Sequence, residues 1–351
     1  MRLAISELIR EYGLKIETAT ITPSVKKFLE IFQSNFPYIS FYSKIVGNPR
    51  FGKDVVNASY DFKRLAVGHQ LNLTFFSERG DLMYEFMGDP SLDLLYSVGR
   101  LSANIPHETN SAVLNAINYE RKPKTDMQFL FASNIEDSEY SQLASEITLG
   151  MVKSYKHFKI VEYDAKEGKE ELLSAIESSD VIILWAHGTG LSLLFKSGTG
   201  NSFSLSPEEI SGLFLVRNPI VILNSCWTGL PDTVQFDSVA KSFLRAGAAV
   251  VIAPRWKISD HDAVRFNLNL LKFIIRDRSI SSVIRKLKYQ IQQSEGEIIS
   301  PERTYTYYGD CRIAFLPFFD EERNRIMKTY EEIISKKYDV GGKTLSFTKI
   351  M

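Results

Sequence analysis

The chain is short of cysteine, of clustered histidine, of long apolar runs and of excess charge, and each shortage closes off a class of protein. Two cysteines in 351 residues, Cys226 and Cys311, make no disulfide framework and suit a reducing compartment. The five histidines (His69, His107, His157, His187, His261) and the two cysteines contain no close-spaced pair of the zinc-ligand type, so no metal is expected. The most apolar runs, such as "AGAAVVIAP", fall well below the roughly 20 residues that cross a bilayer as a helix. The start, "MRLAISELIREYGLKIE", interrupts its apolar residues with charges and lacks the core of an export signal, so the expected location is cytoplasmic. Forty-two basic residues balance forty-two acidic ones, which removes any overall field toward nucleic acid or an anionic membrane. Repeats and low-complexity segments are also missing.

What is present is an ordinary folded composition, 44% apolar and 24% charged. The length exceeds what one core usually organises, so two domains, or one with an appended region, are expected. From about Thr125 strands and helices alternate. Compact apolar runs at 127–133, 158–164, 180–186, 218–225 and 248–254 read as strands buried on both faces. Between them, amphipathic stretches at 137–155, 169–179 and 237–247 read as helices, the last ended by Gly247. Two alternating segments around "KSGTGNS" read as a hairpin, not a phosphate loop, because the lysine precedes its glycine pair and no helix follows directly. No cofactor is therefore expected. A short helix after the hairpin is announced by Ser206 as N-cap, Pro207 at its first position and Glu209 at its third.

Further helices are expected at 259–276 and 280–294, and "CRIAFLPF" (311–318) reads as an edge strand with Pro317 near its end. Residues 320–339 form an amphipathic pattern with Ile326, Met327, Tyr330, Ile333 and Ile334 at core spacing. The first 124 residues lack the βα rhythm. They mix helical stretches such as "SVKKFLEIFQSNF" with an apparent hairpin, "QLNLTFFSERGDLMYEFMG", and read as a smaller α+β region. The expected division is 1–124 as a regulatory or docking region, 125–320 as the main α/β domain and 321–351 as a terminal helix and tail. The βαβ repetition implies a mainly parallel sheet of six strands flanked by helices.

In such a sheet, ligands gather beyond the carboxyl ends of strands. The third strand runs out into "AHGTG", which puts His187 just past its end; the fourth runs out into "NSCWTG", which does the same for Cys226. A thiol is a poor nucleophile until it ionises, and a nearby imidazole takes its proton. Gly188 lets its backbone N–H approach a substrate carbonyl, and the Cys226 N–H offers a second oxyanion donor. An isolated cysteine or histidine is more often a packed residue, and it is the pairing at two strand ends that points to a dyad.

The run "DVIILWAHGTG", the hairpin, "IVILNSCWTG" and "DSVAKSFLRAGAAVVIAPRWKISDHDAVRF" resemble the active domain of the CHAT peptidases, relatives of caspases and separases, over about residues 125 to 318. The resemblance implies a caspase-like fold and a cysteine endopeptidase acting on a protein substrate. Cys226 would attack the peptide carbonyl and His187 would serve as acid and base, through a thioester. It also implies an activating or regulatory partner, since relatives are switched on by partner domains or ligands and include bacterial defence proteins. Asp260 aligns with the acid of the separase Trp-x-x-x-Asp motif, which recognises a basic residue before the scissile bond; the same residue also suits a helix start capped by Ser259 with Asp262 as reciprocal acid. Asn134, Glu136 and Asp137 follow the first strand, a loop that borders the pocket in this fold. Trp256 lines the cleft or packs beneath it. Arg255 stands where relatives commonly carry a small or aliphatic residue, and pointing inward it would oppose an acidic pocket. The rival from another class is a silent caspase-like module that binds partners and cuts nothing.

Overall fold

The computed structural model describes residues 72–77, 97–102, 126–133, 139–164, 168–189, 191–196, 202–229, 238–274, 279–295, 304–309, 313, 320–340 and 342–347. In chain order these form β1 (Asn72–Ser77), β2 (Ser97–Ser102), β3 (Met127–Ser133), α1 (Glu139–Val152), β4 (Phe158–Asp164), α2 (Lys169–Glu177) and β5 (Val181–Trp185). Next come β6 (His187–Gly188), β7 (Leu193–Lys196), β8 (Ser202–Leu205), α3 (Pro207–Ser211), β9 (Ile220–Asn224), α4 (Val239–Ala246) and β10 (Val250–Pro254). The series ends with α5 (Asp260–Ile274), α6 (Ile280–Glu295), β11 (Tyr305–Gly309), α7 (Asp320–Ser335), β12 (Tyr338–Val340) and β13 (Lys343–Leu345).

Among the described residues the main sheet runs in the order β1-β2-β11-β10-β9-β5-β3-β4. Neighbours from β4 through β3, β5 and β9 to β10 are all parallel, and β11 is antiparallel to β10. This is the mainly parallel six-stranded α/β core expected from the βα rhythm. Strands β5, β9 and β10 are buried at every position, as a sheet covered on both faces requires. Alternate residues serve opposite layers. Phe129, Ile183, Ile222 and Ile252 pack with α1, α5, α6 and α7, while Leu130, Ile182, Leu223 and Val251 pack with α2 and α4. Each such aliphatic side chain contributes about 1.5–3 kcal/mol on burial.

The local signals produce the local structure. Ser206 and Glu209 form the reciprocal capping box that starts α3. Gly247 ends α4 in the left-handed conformation at φ 118°, where its N–H reaches the Leu244 carbonyl. Strands β7 and β8 form the expected antiparallel hairpin, and β6 adds to it by pairing His187 with Leu194.

One expectation is corrected. The antiparallel strand is Tyr305–Gly309, not 311–318; of the latter only Ile313 is described, as a buried residue outside any strand whose carbonyl accepts from the Ile280 N–H. The run "YTYYG" looks polar, but β-branched and aromatic residues favour strands once their hydroxyls are satisfied. Here Tyr305 donates to Asn224 Oδ1 and Tyr308 to the Gly229 carbonyl. Strand β1 pairs in parallel with β2, and β2 pairs in parallel with β11 at Arg100 and Tyr308. Two strands from the first 124 residues thus extend the sheet. The stretch 24–36 and the second arm of the expected hairpin lie outside the described residues.

Candidate active site

Strands β5 and β9 run in register from Val181 opposite Ile220 to Trp185 opposite Asn224. Both then leave the sheet, and two residues further on stand His187 and Cys226. Cys226 packs against the hydrophobic cluster that includes Trp185. His187 and Cys226 are half-buried, so solvent reaches them. Gly188 fixes how closely the two tips approach. A Cβ there would lie 1.9 Å from the Cys226 carbonyl oxygen, 2.9 Å from its carbon and 3.0 Å from its nitrogen. Only glycine fits, and the backbone next to His187 lies directly on the backbone of Cys226.

The turn after Cys226 is strained and firmly held. Trp227 has φ 69°, the left-handed region that a bulky residue seldom adopts, at a cost of about 1–3 kcal/mol. Its N–H donates to the Trp256 carbonyl at 3.3 Å, and the Gly229 N–H donates to the Pro254 carbonyl at 2.8 Å. Thr228 Oγ1 donates to the Ser225 carbonyl, and Tyr308 closes the turn through Gly229. Beneath it, Asn224 is 4% exposed and its Oδ1 accepts from Asn267 Nδ2 and from the Tyr305 hydroxyl, both at 2.8 Å. The Tyr305 ring is stacked on Phe266 at 3.7 Å. The end of β9 is thereby tied to α5 and β11.

The Cys226 thiol donates to the Ile258 carbonyl at 3.6 Å. Burial pushes its pKa above the ordinary thiol value and the Asp260 carboxylate adds to the rise, while the Lys257 ammonium acts against it. The resting sulfur is a protonated thiol and needs a base before it can attack.

Asp260 opens α5, half-buried, and its Oδ2 accepts from Ser141 Oγ on α1 at 2.6 Å. Among the described residues no cation pairs with it. The neighbouring Tyr140 phenol is pushed up to about 12 by burial and by the charges of Asp260 and Asp262. Ser259 caps the helix, its hydroxyl accepting from the Asp262 N–H and bonding the Asp262 carboxylate. Burial pushes the Asp262 carboxyl up, but hydrogen bonds from His261 and Ser259 and the Arg265 charge outweigh it, leaving the pKa lowered. Arg255 is fully buried, with its N–H donating to the Thr304 carbonyl, and Trp256 is 2% exposed. Neither side chain is exposed. Asn134, Glu136 and Asp137 lie outside the described residues.

Sequence reasoning missed Ser141, Tyr140, Lys257 and the Asn224–Asn267–Tyr305 cluster. The one signal available for the last was a polar residue closing an otherwise apolar strand, "IVILN". Among the described residues no group of three or more His, Cys, Asp or Glu side chains is placed to hold a metal, and no helix is long and apolar enough to cross a membrane.

A mainly parallel sheet with an antiparallel strand beside β10, helices on both faces, and a histidine and a cysteine beyond adjacent strand tips define a caspase-like α/β fold. The chain matches the model of peptidase family C25 over residues 41–315 and belongs to that family. Among solved structures, the Arg-specific cysteine proteinase gingipain R (RGPB) is similar at TM-score 0.50 and 14% identity, over 62% of this chain and 55% of that one. A second structure, described simply as a protease, matches at TM-score 0.51 and 16% identity over 62% and 56%. A Saccharomyces cerevisiae separase–securin complex matches at TM-score 0.44 and 15% identity, over 62% of this chain and 14% of that one. This chain spans just over half the length of the first two. No match was found among curated protein sequences. The family match and the CHAT resemblance meet in the caspase-like cysteine peptidase clan, and C25 is the family reached.

Proposed function

We propose that the protein is a cysteine endopeptidase working through Cys226 and His187. The observation that carries this reading is the register of β5 and β9 together with the contact of Gly188 on the Cys226 backbone, which leaves the two side chains at adjacent strand tips. His187 takes the proton from Cys226 Sγ and the thiolate attacks the carbonyl carbon of a peptide bond. The resulting oxyanion sits between the N–H groups of Gly188 and Cys226, an arrangement in which one donor is worth about 10²–10³ in rate. As the C–N bond breaks, His187 returns its proton to the leaving amine, and a thioester remains. Water, deprotonated by His187, hydrolyses the thioester, releasing the acid and restoring the thiol.

Asp260 would receive the residue before the scissile bond. Its carboxylate is oriented by Ser141 and lacks a described cation partner, which favours arginine or lysine there. The similarity to a protease whose name states arginine specificity agrees with this. The CHAT resemblance adds activation by a protein partner, with the first 124 residues as the docking region and bacterial defence as the setting. A thiol that rests neutral and bonded to Ile258 fits an enzyme awaiting such a signal.

The test is labelling with a peptidyl acyloxymethyl ketone carrying arginine next to the warhead. Wild type is expected to label at Cys226, and His187→Ala to lose the label. A folded wild type that stays unlabelled with the partner present would leave the silent interaction module as the better reading.

A further inference from the structure

The segment between β10 and α5 does more than cross the site. The carbonyl of Trp256 accepts from the Trp227 N–H and that of Ile258 accepts from the Cys226 thiol, so the residues on either side of Lys257 both hold the nucleophile turn. Two residues beyond Ile258, Asp260 is pinned by Ser141 at 2.6 Å. A cation and an anion thus stand within two residues of the carbonyl that holds the sulfur, on one short run of backbone. Among the described residues the other titratable and charged groups on the elements around the turn include His187 from β6, the buried Arg255 after β10, His261 and Asp262 from α5, Tyr140 from α1 and Tyr308 from β11.

The two charges oppose each other at the sulfur. Beyond the rise that burial imposes, the Lys257 ammonium lowers the thiol pKa and the Asp260 carboxylate, half-buried, raises it, the lysine acting the more strongly of the two. Asp260 thus disfavours a second negative charge on the sulfur.

Resting on the reading that Cys226 is the nucleophile and Asp260 receives a basic side chain, we propose that Asp260 also switches the nucleophile: a cation bound at Asp260 cancels the negative charge facing the thiol, so a basic substrate residue promotes ionisation of the sulfur that cuts beside it. A substrate with a neutral residue at that position leaves the charge uncompensated and meets a less ionised thiol. Specificity then appears in turnover as well as in binding.

The test is the pH profile of Cys226 alkylation by iodoacetamide in the full chain, read by mass spectrometry of the Cys226 peptide so that Cys311 does not contribute. Alkylation reports on the thiol, not on proteolysis, so an enzyme still awaiting its partner gives an answer. Asp260→Asn is expected to lower the midpoint by about one pH unit, the lower end of what a nearby charge imposes; Asp260→Ser serves if the asparagine variant folds poorly. Saturating n-butylguanidine should lower the wild-type midpoint similarly and leave that of Asp260→Asn unmoved, whereas n-butanol should do nothing. Lys257→Met should raise the midpoint and Lys257→Arg restore it. An unchanged midpoint in Asp260→Asn overturns the switch. Butylguanidine that binds wild type by calorimetry without moving the midpoint overturns the switch but leaves the basic pocket standing. Failure of butylguanidine to bind overturns the pocket reading and the switch with it.

Discussion

Replacing Gly188 by alanine puts the shared geometry of the two strand tips under direct strain. The added Cβ would meet the Cys226 carbonyl oxygen at 1.9 Å, its carbon at 2.9 Å and its nitrogen at 3.0 Å. Non-bonded carbon contacts settle at about 3.5–4 Å, so one backbone must retreat by roughly 1.5–2 Å. The offending atoms are backbone, with no flexible side chain to give way. A displacement of about 1 Å in reacting groups costs on the order of 10²-fold in rate, and losing the Gly188 N–H from the oxyanion position costs about 10²–10³-fold. Overpacking adds about 1–3 kcal/mol of instability. We expect Gly188→Ala to fold, with a lower Tm, and to react with the arginyl acyloxymethyl ketone at least 10²-fold more slowly than wild type. Thermal melting beside the labelling rate separates the two effects. A Gly188→Ala chain that labels at the wild-type rate would refute the claim that this contact sets the site.

Other predictions follow from individual contacts. Because burial raises the Cys226 thiol, its alkylation by a neutral reagent should keep rising above the ordinary thiol range of about 8.5; a plateau below pH 7 would contradict it. Asn224→Ala removes the acceptor shared by two buried bonds, although Asn267 Nδ2 keeps the Ala263 carbonyl, and should cost about 1–3 kcal/mol, whereas Tyr305→Phe, which leaves the Asn267 bond in place, should cost about 1 kcal/mol by denaturant titration. Tyr155 is fully buried and donates to the Leu271 carbonyl at 2.5 Å, and burial followed by the Glu322 charge raises its phenol well above 10. Its protonated form is favoured in the folded state, so this contribution is complete below about pH 10 and is lost as pH climbs toward the folded pKa; Tyr155→Phe should flatten the alkaline limb of the stability profile. Gly247→Ala should lower Tm by several degrees, because φ 118° strains alanine and its Cβ would lie 3.0 Å from the Leu215 carbonyl oxygen.

The βα core was legible because its signals are local. Buried strands are uninterrupted apolar runs, and Ser206, Glu209 and Gly247 announce their helix ends within three or four residues. The candidate dyad was proposed on a related ground, since two chemically distinctive residues each follow an apolar run. What stayed hidden depends on contacts remote in sequence. Ser141 meets Asp260 across 119 positions and Tyr305 meets Asn224 across 81. Nothing near "DSEYSQ" or "TYTYYG" hints at those partners. The strand Tyr305–Gly309 was passed over for the same reason, because its polar look disappears only once distant acceptors take up the tyrosine hydroxyls. Arg255 was singled out because relatives carry a small or aliphatic residue there; its complete burial is a packing outcome that one chain position does not reveal.

The most direct measurement is a crystal structure of the protein after reaction with the arginyl acyloxymethyl ketone. The account predicts a thioether at Cys226 Sγ, a ring nitrogen of His187 within hydrogen-bond reach of that sulfur, and the inhibitor carbonyl oxygen between the N–H groups of Gly188 and Cys226. An adduct on another residue, or a His187 imidazole turned to the opposite face of the sheet, would contradict it.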